Sequence, residues 1–209
     1  MTKILIADDH AVVREGVKHI LSDMRDAVIS EACNGQEVLE ALRKNDYDLI
    51  LLDIAMPGKD GLDTLKDIKI EKPKAKVLIL SMFPEEQYAL RALKSGASGY
   101  LTKESIPEEL INAIRKVLRG GKYVSSEFSD KLLLSLDSDA EKAAHETLSN
   151  REYQVMRMIA SGKTLSEIAD ELFLSVKTVS TYRSRILEKM NLKNNAEIMH
   201  YAVRNGLME

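Results

Sequence analysis

One cysteine, Cys33, stands among 209 residues. That scarcity excludes an internal disulfide framework and any zinc site built from several cysteines. Cys33 itself reads as a small, partly buried hydrophobe rather than a reactive thiol. The four histidines, at 10, 19, 145 and 200, show no metal-like pair spacing. His10 reads first as a helix-start residue and second as a residue lining a site. No apolar run approaches the roughly 20 residues of a membrane span. Met1-Thr2-Lys3-Ile4 enters a strand pattern at once, so no signal peptide is expected, and a cytoplasmic protein is the simplest account. A nucleotide-binding loop is also missing. Ser161-Gly162-Lys163-Thr164 resembles the end of one, but Arg157 stands where its first glycine belongs and no strand pattern precedes it.

What is present is a chain 44% hydrophobic and 30% charged, long enough for two modest domains. The net charge of -3 is unevenly spread. Residues 1–120 carry -2, residues 121–147 carry -3 and residues 148–209 carry +2. A mildly basic C-terminal part permits nucleic-acid binding without requiring it. The nine methionines are dispersed and read as core fillers.

The most informative stretch runs from Asp48 to Gly58. Leu49-Ile50-Leu51-Leu52 is an unbroken apolar run that ends at Asp53, and Pro57-Gly58 follows. Such a run, closed by a turn signal, is a strand buried on both faces. Asp53 then lies at the carboxyl end of a central strand, where open α/β sheets bind their ligands. Five strand patterns are expected in residues 1–120: Lys3–Ala7, Ala27–Glu31, Leu49–Asp53, Val77–Ser81 and Gly99–Thr102. They alternate with helical patterns near 11–22, 35–44, 61–71, 85–95 and 107–119, which predicts a parallel sheet with helices on both faces. Val12, Val13, Val17, Ile20 and Leu21 have the spacing of one helix face.

Four of these strands end in chemistry. Asp8-Asp9 follows the first, Asp53 ends the third, Ser81 ends the fourth and Lys103 follows the fifth. Three close carboxylates repel, and one gains a proton unless a cation sits between them. An oxygen-only, loosely caged set suits Mg²⁺ shared with a phosphate. A carboxylate there can attack phosphorus to give an aspartyl phosphate. Lys103 and Ser81 would then stabilise the phosphoryl oxygens.

Residues 121–147 lack a strong period. Ser125–Leu136, with Phe128, Leu132, Leu133 and Leu136, predicts a short connecting helix, and the polar run 137–142 predicts a flexible linker. Residues 148–209 are helical throughout. Ser149 is the expected N-cap of a first helix that Gly162 ends, with Glu152 completing a capping box. A second helix begins near Leu165, a third spans Val176–Met190 with Ser175 as its cap, and a fourth spans Asn195–Asn205. A tight turn between the second and a cation-bearing third reads as a helix-turn-helix. On the third, Val176, Val179, Ile186 and Met190 share an arc, while Lys177, Thr181, Ser184 and Glu188 face the other way with Thr178 and Arg185 beside them. A face of cations and hydroxyls suits phosphates and base edges.

Asp8-Asp9-His10, Asp53 with Met56-Pro57-Gly58, Ser81, and the run Gly96–Lys103 resemble the receiver domain of bacterial two-component response regulators. The resemblance implies the strand order 2-1-3-4-5. It also implies phosphorylation of Asp53 by a histidine kinase, with Mg²⁺ among Asp8, Asp9, Asp53 and the Ala55 carbonyl. Ser81 and Tyr100 would be the switch pair, the ring turning inward, with Lys103 on the phosphoryl group. Arg151-Glu152, Gly162-Lys163, Ile168-Ala169, Leu174-Ser175, Thr178-Val179, Ile186 and Lys189-Met190 resemble the LuxR/NarL class of DNA-binding domains. Tyr182 departs from that class, which commonly has His there. The class implies that an all-α four-helix domain binds double-stranded DNA as a dimer, paired partly through Ile198, Met199 and Val203. The expected DNA-contacting residues are Lys177, Thr178, Ser180, Thr181, Tyr182, Ser184 and Arg185.

The expected organisation is therefore a receiver at 1–121, a connector at 122–146 and a helix-turn-helix domain at 147–209. The expected function is a phosphorylation-dependent transcriptional regulator, not an enzyme, dimeric when phosphorylated or DNA-bound. Two rivals stand beside it. A phosphohydrolase with an aspartyl phosphate would typically carry an acid where Ala55 stands. A receiver coupled to a protein- or RNA-binding helical module would bind no duplex DNA.

Overall fold

The computed structural model describes the chain except residues 23, 25, 59, 137–142 and 208–209 and the side chains of 133–136. The polar run expected to be a linker lies outside the described residues. The chain divides into two compact units, Met1–Asp137 and Ser138–Glu209.

The first unit alternates strands and helices as the apolar periodicity predicts. β1 (Thr2–Ala7), β2 (Ala27–Ala32), β3 (Leu49–Asp53), β4 (Val77–Ser81) and β5 (Gly99–Thr102) form one parallel sheet. Its order is β2-β1-β3-β4-β5. The helices are α1 (Ala11–Leu21), α2 (Gly35–Lys44), α3 (Gly61–Glu71), α4 (Glu85–Lys94) and α5 (Ile106–Leu118), with α6 (Ser126–Leu136) completing the unit. Alternate residues of a strand face opposite ways. Ile4, Ile6, Leu49, Leu51, Leu78, Leu80 and Leu101 therefore share one face, in a core with Val17, Leu21, Leu110, Ile114 and Val117. Each such side chain contributes about 1.5–3 kcal/mol on burial. Val12, expected on the buried face of α1, is 85% exposed. The inward arc of α1 is narrower than its apolar spacing, and it centres on Val17 and Leu21.

Register brings the chemistry to one edge. Ala7 pairs with Leu52, so Asp8 and Asp53 leave the sheet side by side. Asp53 pairs with Leu80 and Ser81 with Thr102, which brings Ser81 and Lys103 to the same rim. Gly61 lets α3 start against this rim, since a Cβ there would lie 2.0 Å from the Asp53 carbonyl oxygen.

The second unit is helical: α7 (Asn150–Ala160), α8 (Leu165–Glu171), α9 (Val176–Lys189) and α10 (Asn195–Arg204). The expected capping box is formed by Ser149 and Glu152, and Thr164 with Glu167 makes a second. Phe173, at φ 54°, turns the chain between α8 and α9. Val179 and Ile186 are fully buried, but Val176, assigned to the same arc, is 47% exposed. It is the first residue of α9, where the helix has just left the turn and the core does not reach it.

Candidate functional sites: an acidic rim and a helix-turn-helix

Asp8 and Asp53 are buried at the carboxyl edge of the sheet, each only 1% exposed. The Lys103 ammonium lies 2.8 Å from Asp53 Oδ2 and 2.6 Å from Asp8 Oδ2. The main-chain N–H of Ala55 donates to Asp53 Oδ1 at 3.1 Å. Burial pushes the Asp53 carboxyl above its ordinary range; Lys103 pulls the other way and the Asp8 charge adds to the rise. Burial also opposes the charge of Lys103, but Asp53 and Asp8 outweigh it and hold the ammonium above its ordinary value.

Asp8, Asp9, His10 and Asp53 each offer a ligand atom, all within 4.8 Å of one another. Asp8 Oδ2 and Asp9 Oδ1 are buried oxygens approached by the Lys103 ammonium at 2.6 Å and by His10 Nδ1 at 2.9 Å. Three carboxylates whose oxygens converge in this way fit a small divalent cation. His10 does both things its sequence position suggested. It occupies the N-cap position of α1, without a side-chain capping bond, and its Nδ1 lies 2.9 Å from Asp9 Oδ1.

Ser81 and Tyr100 meet one rim residue away. Both bond the main chain of Phe83. Tyr100 donates to the Phe83 carbonyl at 2.8 Å, and the Phe83 N–H donates to Ser81 Oγ at 3.0 Å. The Tyr100 ring is fully buried and stands inward. Burial pushes its phenol well above the ordinary range.

In the second unit Lys177, Ser180, Thr181, Ser184 and Arg185 lie on the exposed side of α9, with Thr178 and Tyr182 half-buried. Thr178 also serves the cap, its N–H donating to Ser175 Oγ at 3.1 Å. The hydroxyls of Thr181 and Ser184 donate to the carbonyls of Lys177 and Ser180. Their outward lone pairs remain acceptors. Two nearby cations hold the fold instead. Arg183 donates to Asn195 Oδ1 at 2.6 Å, and Lys189 reaches Glu152 at 2.6 Å. On α10, Ile198 is fully buried, whereas Met199 and Val203 are 41% and 68% exposed, so the apolar surface of α10 lies at the latter two.

Arg14 was absent from the sequence reading of the site. It donates to the Asp8 carbonyl at 2.8 Å and pairs with Glu31. Its position one helical turn past His10 is the signal that would have found it. Phe83 was also missed, because its contribution is main chain and leaves no residue-type signature.

A buried carboxylate ringed by acids and a lysine, on a 2-1-3-4-5 sheet, followed by a helix-turn-helix, defines a receiver joined to a DNA-binding domain. Residues 4–115 match the response regulator receiver domain, and residues 146–202 match the bacterial regulatory proteins of the luxR family. The chain belongs to the two-component response regulators of the NarL/FixJ type, which act as transcription regulators. It is 35% identical to response regulator UvrY of Escherichia coli K12, over 99% of this chain and 96% of that protein. It is 37% identical to oxygen regulatory protein NreC of Staphylococcus carnosus, over 99% of both. The solved structure of RcsB from Salmonella typhimurium matches with a TM-score of 0.59 at 26% identity, over 97% of this chain and 98% of that one. An RcsB–DNA complex matches with a TM-score of 0.60 at the same identity and coverage. Among the described residues no helix is long and apolar enough to cross a membrane.

Proposed function

We propose that Asp53 accepts a phosphoryl group from a histidine kinase and that this controls dimerisation and the binding of double-stranded DNA by the C-terminal helices. The observation that carries the reading is the Lys103 ammonium set between two buried carboxylates. Such a cation neutralises an acid pair at rest and is in place for the charge of a transferred phosphoryl group.

In the transfer, an Asp53 carboxylate oxygen attacks the phosphorus of a phosphohistidine. The P–O bond forms, the P–N bond breaks, and the released imidazole takes a proton. Asp8, Asp9, Asp53 and the Ala55 carbonyl are the residues that would hold Mg²⁺, which supplies charge neutralisation on the phosphoryl oxygens. Ser81 donates its hydroxyl to one phosphoryl oxygen and Lys103 pairs with another. The product carries a charge of about -2 at neutral pH. Its effect is a bias between two arrangements of the unit, with Ser81 and Tyr100 as the switch pair.

On this reading residues 1–121 are the receiver, 122–146 the connector and 147–209 the DNA-binding domain. Lys177, Thr178, Ser180, Thr181, Tyr182, Ser184 and Arg185 contact DNA, and Met199 and Val203 contribute to a homodimer. The chain is a regulator rather than an enzyme and acts in the cytoplasm, where the DNA is. Mass and sedimentation with Mg²⁺, before and after acetyl phosphate, test the reading. One added phosphoryl group, absent in Asp53→Asn, with a shift toward dimer, is the expected result. No added mass would overturn it. Retention of duplex affinity after charge reversal at both Lys177 and Arg185 would favour a protein- or RNA-binding helical module instead.

A further inference from the structure

The connector helix α6 belongs to the first unit, and it is held there by the residues that follow the switch pair. Tyr123 extends the sheet beside β5: its N–H donates to the Ser98 carbonyl at 3.0 Å, and its carbonyl accepts from Tyr100 at 2.8 Å. Gly99 permits this approach, since a Cβ there would lie 2.6 Å from the Tyr123 oxygen. The start of α6 is then fastened to α4. Glu85, 8% exposed, accepts the Ser125 N–H at 3.0 Å and also the Ser125 hydroxyl. One turn further on, Lys131 reaches Glu86 at 2.9 Å, and the Phe128 side chain is buried. Glu85 sits two residues beyond Phe83, in the same segment that leads from β4 into α4.

Phe83 is where the switch pair acts. The Phe83 N–H donates to Ser81 Oγ, and the Phe83 carbonyl accepts from the Tyr100 hydroxyl. The Phe83 ring also stacks on Tyr88 of α4, at a centroid distance of 4.8 Å. Ser81 has one hydroxyl proton to donate. A turn of its side chain toward a phosphoryl oxygen on Asp53 takes Oγ away from the Phe83 N–H that it accepts at 3.0 Å.

We propose that Glu85 is the positioning residue that transmits the state of Asp53 to the connector: when Ser81 turns to the phosphoryl group, the Phe83 N–H loses its acceptor, the segment carrying Glu85 shifts, and Ser125 and the start of α6 are released. The inference rests on the phosphorylation of Asp53 proposed above. It adds a defined exit for the signal, two hydrogen bonds that Ser125, the residue before α6, donates to one buried carboxylate.

Hydrogen exchange of the full chain with Mg²⁺, with and without acetyl phosphate, tests it, with intact mass recorded on the same samples. Losing a hydrogen bond to a charged acceptor corresponds to exchange faster by about tenfold or more. In the unsubstituted protein, amides from Ser125 to Lys131 should therefore exchange about tenfold faster once Asp53 is phosphorylated. In Glu85→Ala those amides should exchange fast from the outset and respond to acetyl phosphate by less than about twofold, while the phosphoryl gain stays complete. Glu85→Gln keeps an acceptor for the Ser125 N–H and should restore part of the response, which a purely structural defect would not. Full phosphorylation with unchanged or slower exchange would overturn the coupling alone, as would a Glu85→Ala chain that responds like the unsubstituted one. A chain that gains no mass would overturn the proposed function and the coupling together.

Discussion

The ammonium of Lys103 donates a hydrogen bond of 2.8 Å to Asp53 Oδ2. It lies 2.6 Å from Asp8 Oδ2, and both carboxylates are buried. Removing one partner of a buried pair costs about 3 kcal/mol or more, because the remaining charge is left without compensation. Lys103→Met is therefore expected to lower the melting temperature by roughly 10 °C. Added Mg²⁺ should raise the melting temperature more in the variant than in the unsubstituted chain, because it can replace the missing cation. Calorimetry with and without Mg²⁺ measures both effects; equal Mg²⁺ shifts would remove the cation-site reading.

Two glycines in the first unit should respond in opposite ways. Gly61→Ala places a carbon 2.0 Å from the Asp53 carbonyl oxygen, and the obstacle is main chain. The expected cost is about 3 kcal/mol, with loss of Asp53 phosphorylation. Gly16, inside α1, meets nothing within 4 Å. Gly16→Ala is expected to stabilise by about 0.5–1 kcal/mol, by removing the backbone entropy of a helical glycine. Urea unfolding of both variants gives the comparison.

Arg183 and Arg185 are two residues apart on α9 and should fail differently. Arg185→Ala should weaken duplex binding and shallow the slope of log affinity against log salt by about one unit, with stability unchanged. Arg183→Ala should lower stability by about 1 kcal/mol, since its guanidinium holds Asn195 at the start of α10. Salt-dependent binding and thermal melts of the two variants separate the roles; a melt in which Arg185→Ala is the less stable would reverse the assignment.

The C-terminal unit should show an acid dependence that passes through Glu152. Burial raises its carboxyl, but Lys189 and the Ser149 cap outweigh burial and hold it below the usual carboxylate range. A lowered folded value means that the stabilisation is complete above the unfolded value of about 4.3. It is lost as pH falls through the folded value. Glu152→Gln should flatten the stability curve below about pH 4.3 and lower its plateau by about 1–2 kcal/mol. An unaltered acid limb would show that another carboxylate dominates.

Much of this molecule was legible from its residues. The run Leu49–Asp53 predicted a buried strand with an acid at its end, and β3 has those bounds. Ser149 and Glu152 predicted a capping box, and both halves are made. These features depend on neighbours within one strand or one helical turn, which a sequence displays directly. Val12 and Val176 show the limit. Both carry the apolar spacing of a buried face, yet both are exposed, because the depth of a core is set by the elements packed on it.

Residue order alone determined the alternation of strands and helices, the polar residue at each strand end and the helix-turn-helix punctuation, since apolar periodicity and capping chemistry are local. The tertiary structure decided the rest. It set Lys103 between Asp8 and Asp53, joined Arg183 to Asn195 while leaving Arg185 on the exposed face, and brought Glu85 to Ser125 across 40 residues of chain. Each of these contacts joins different elements through sheet order and helix packing, and no spacing within a single element encodes them.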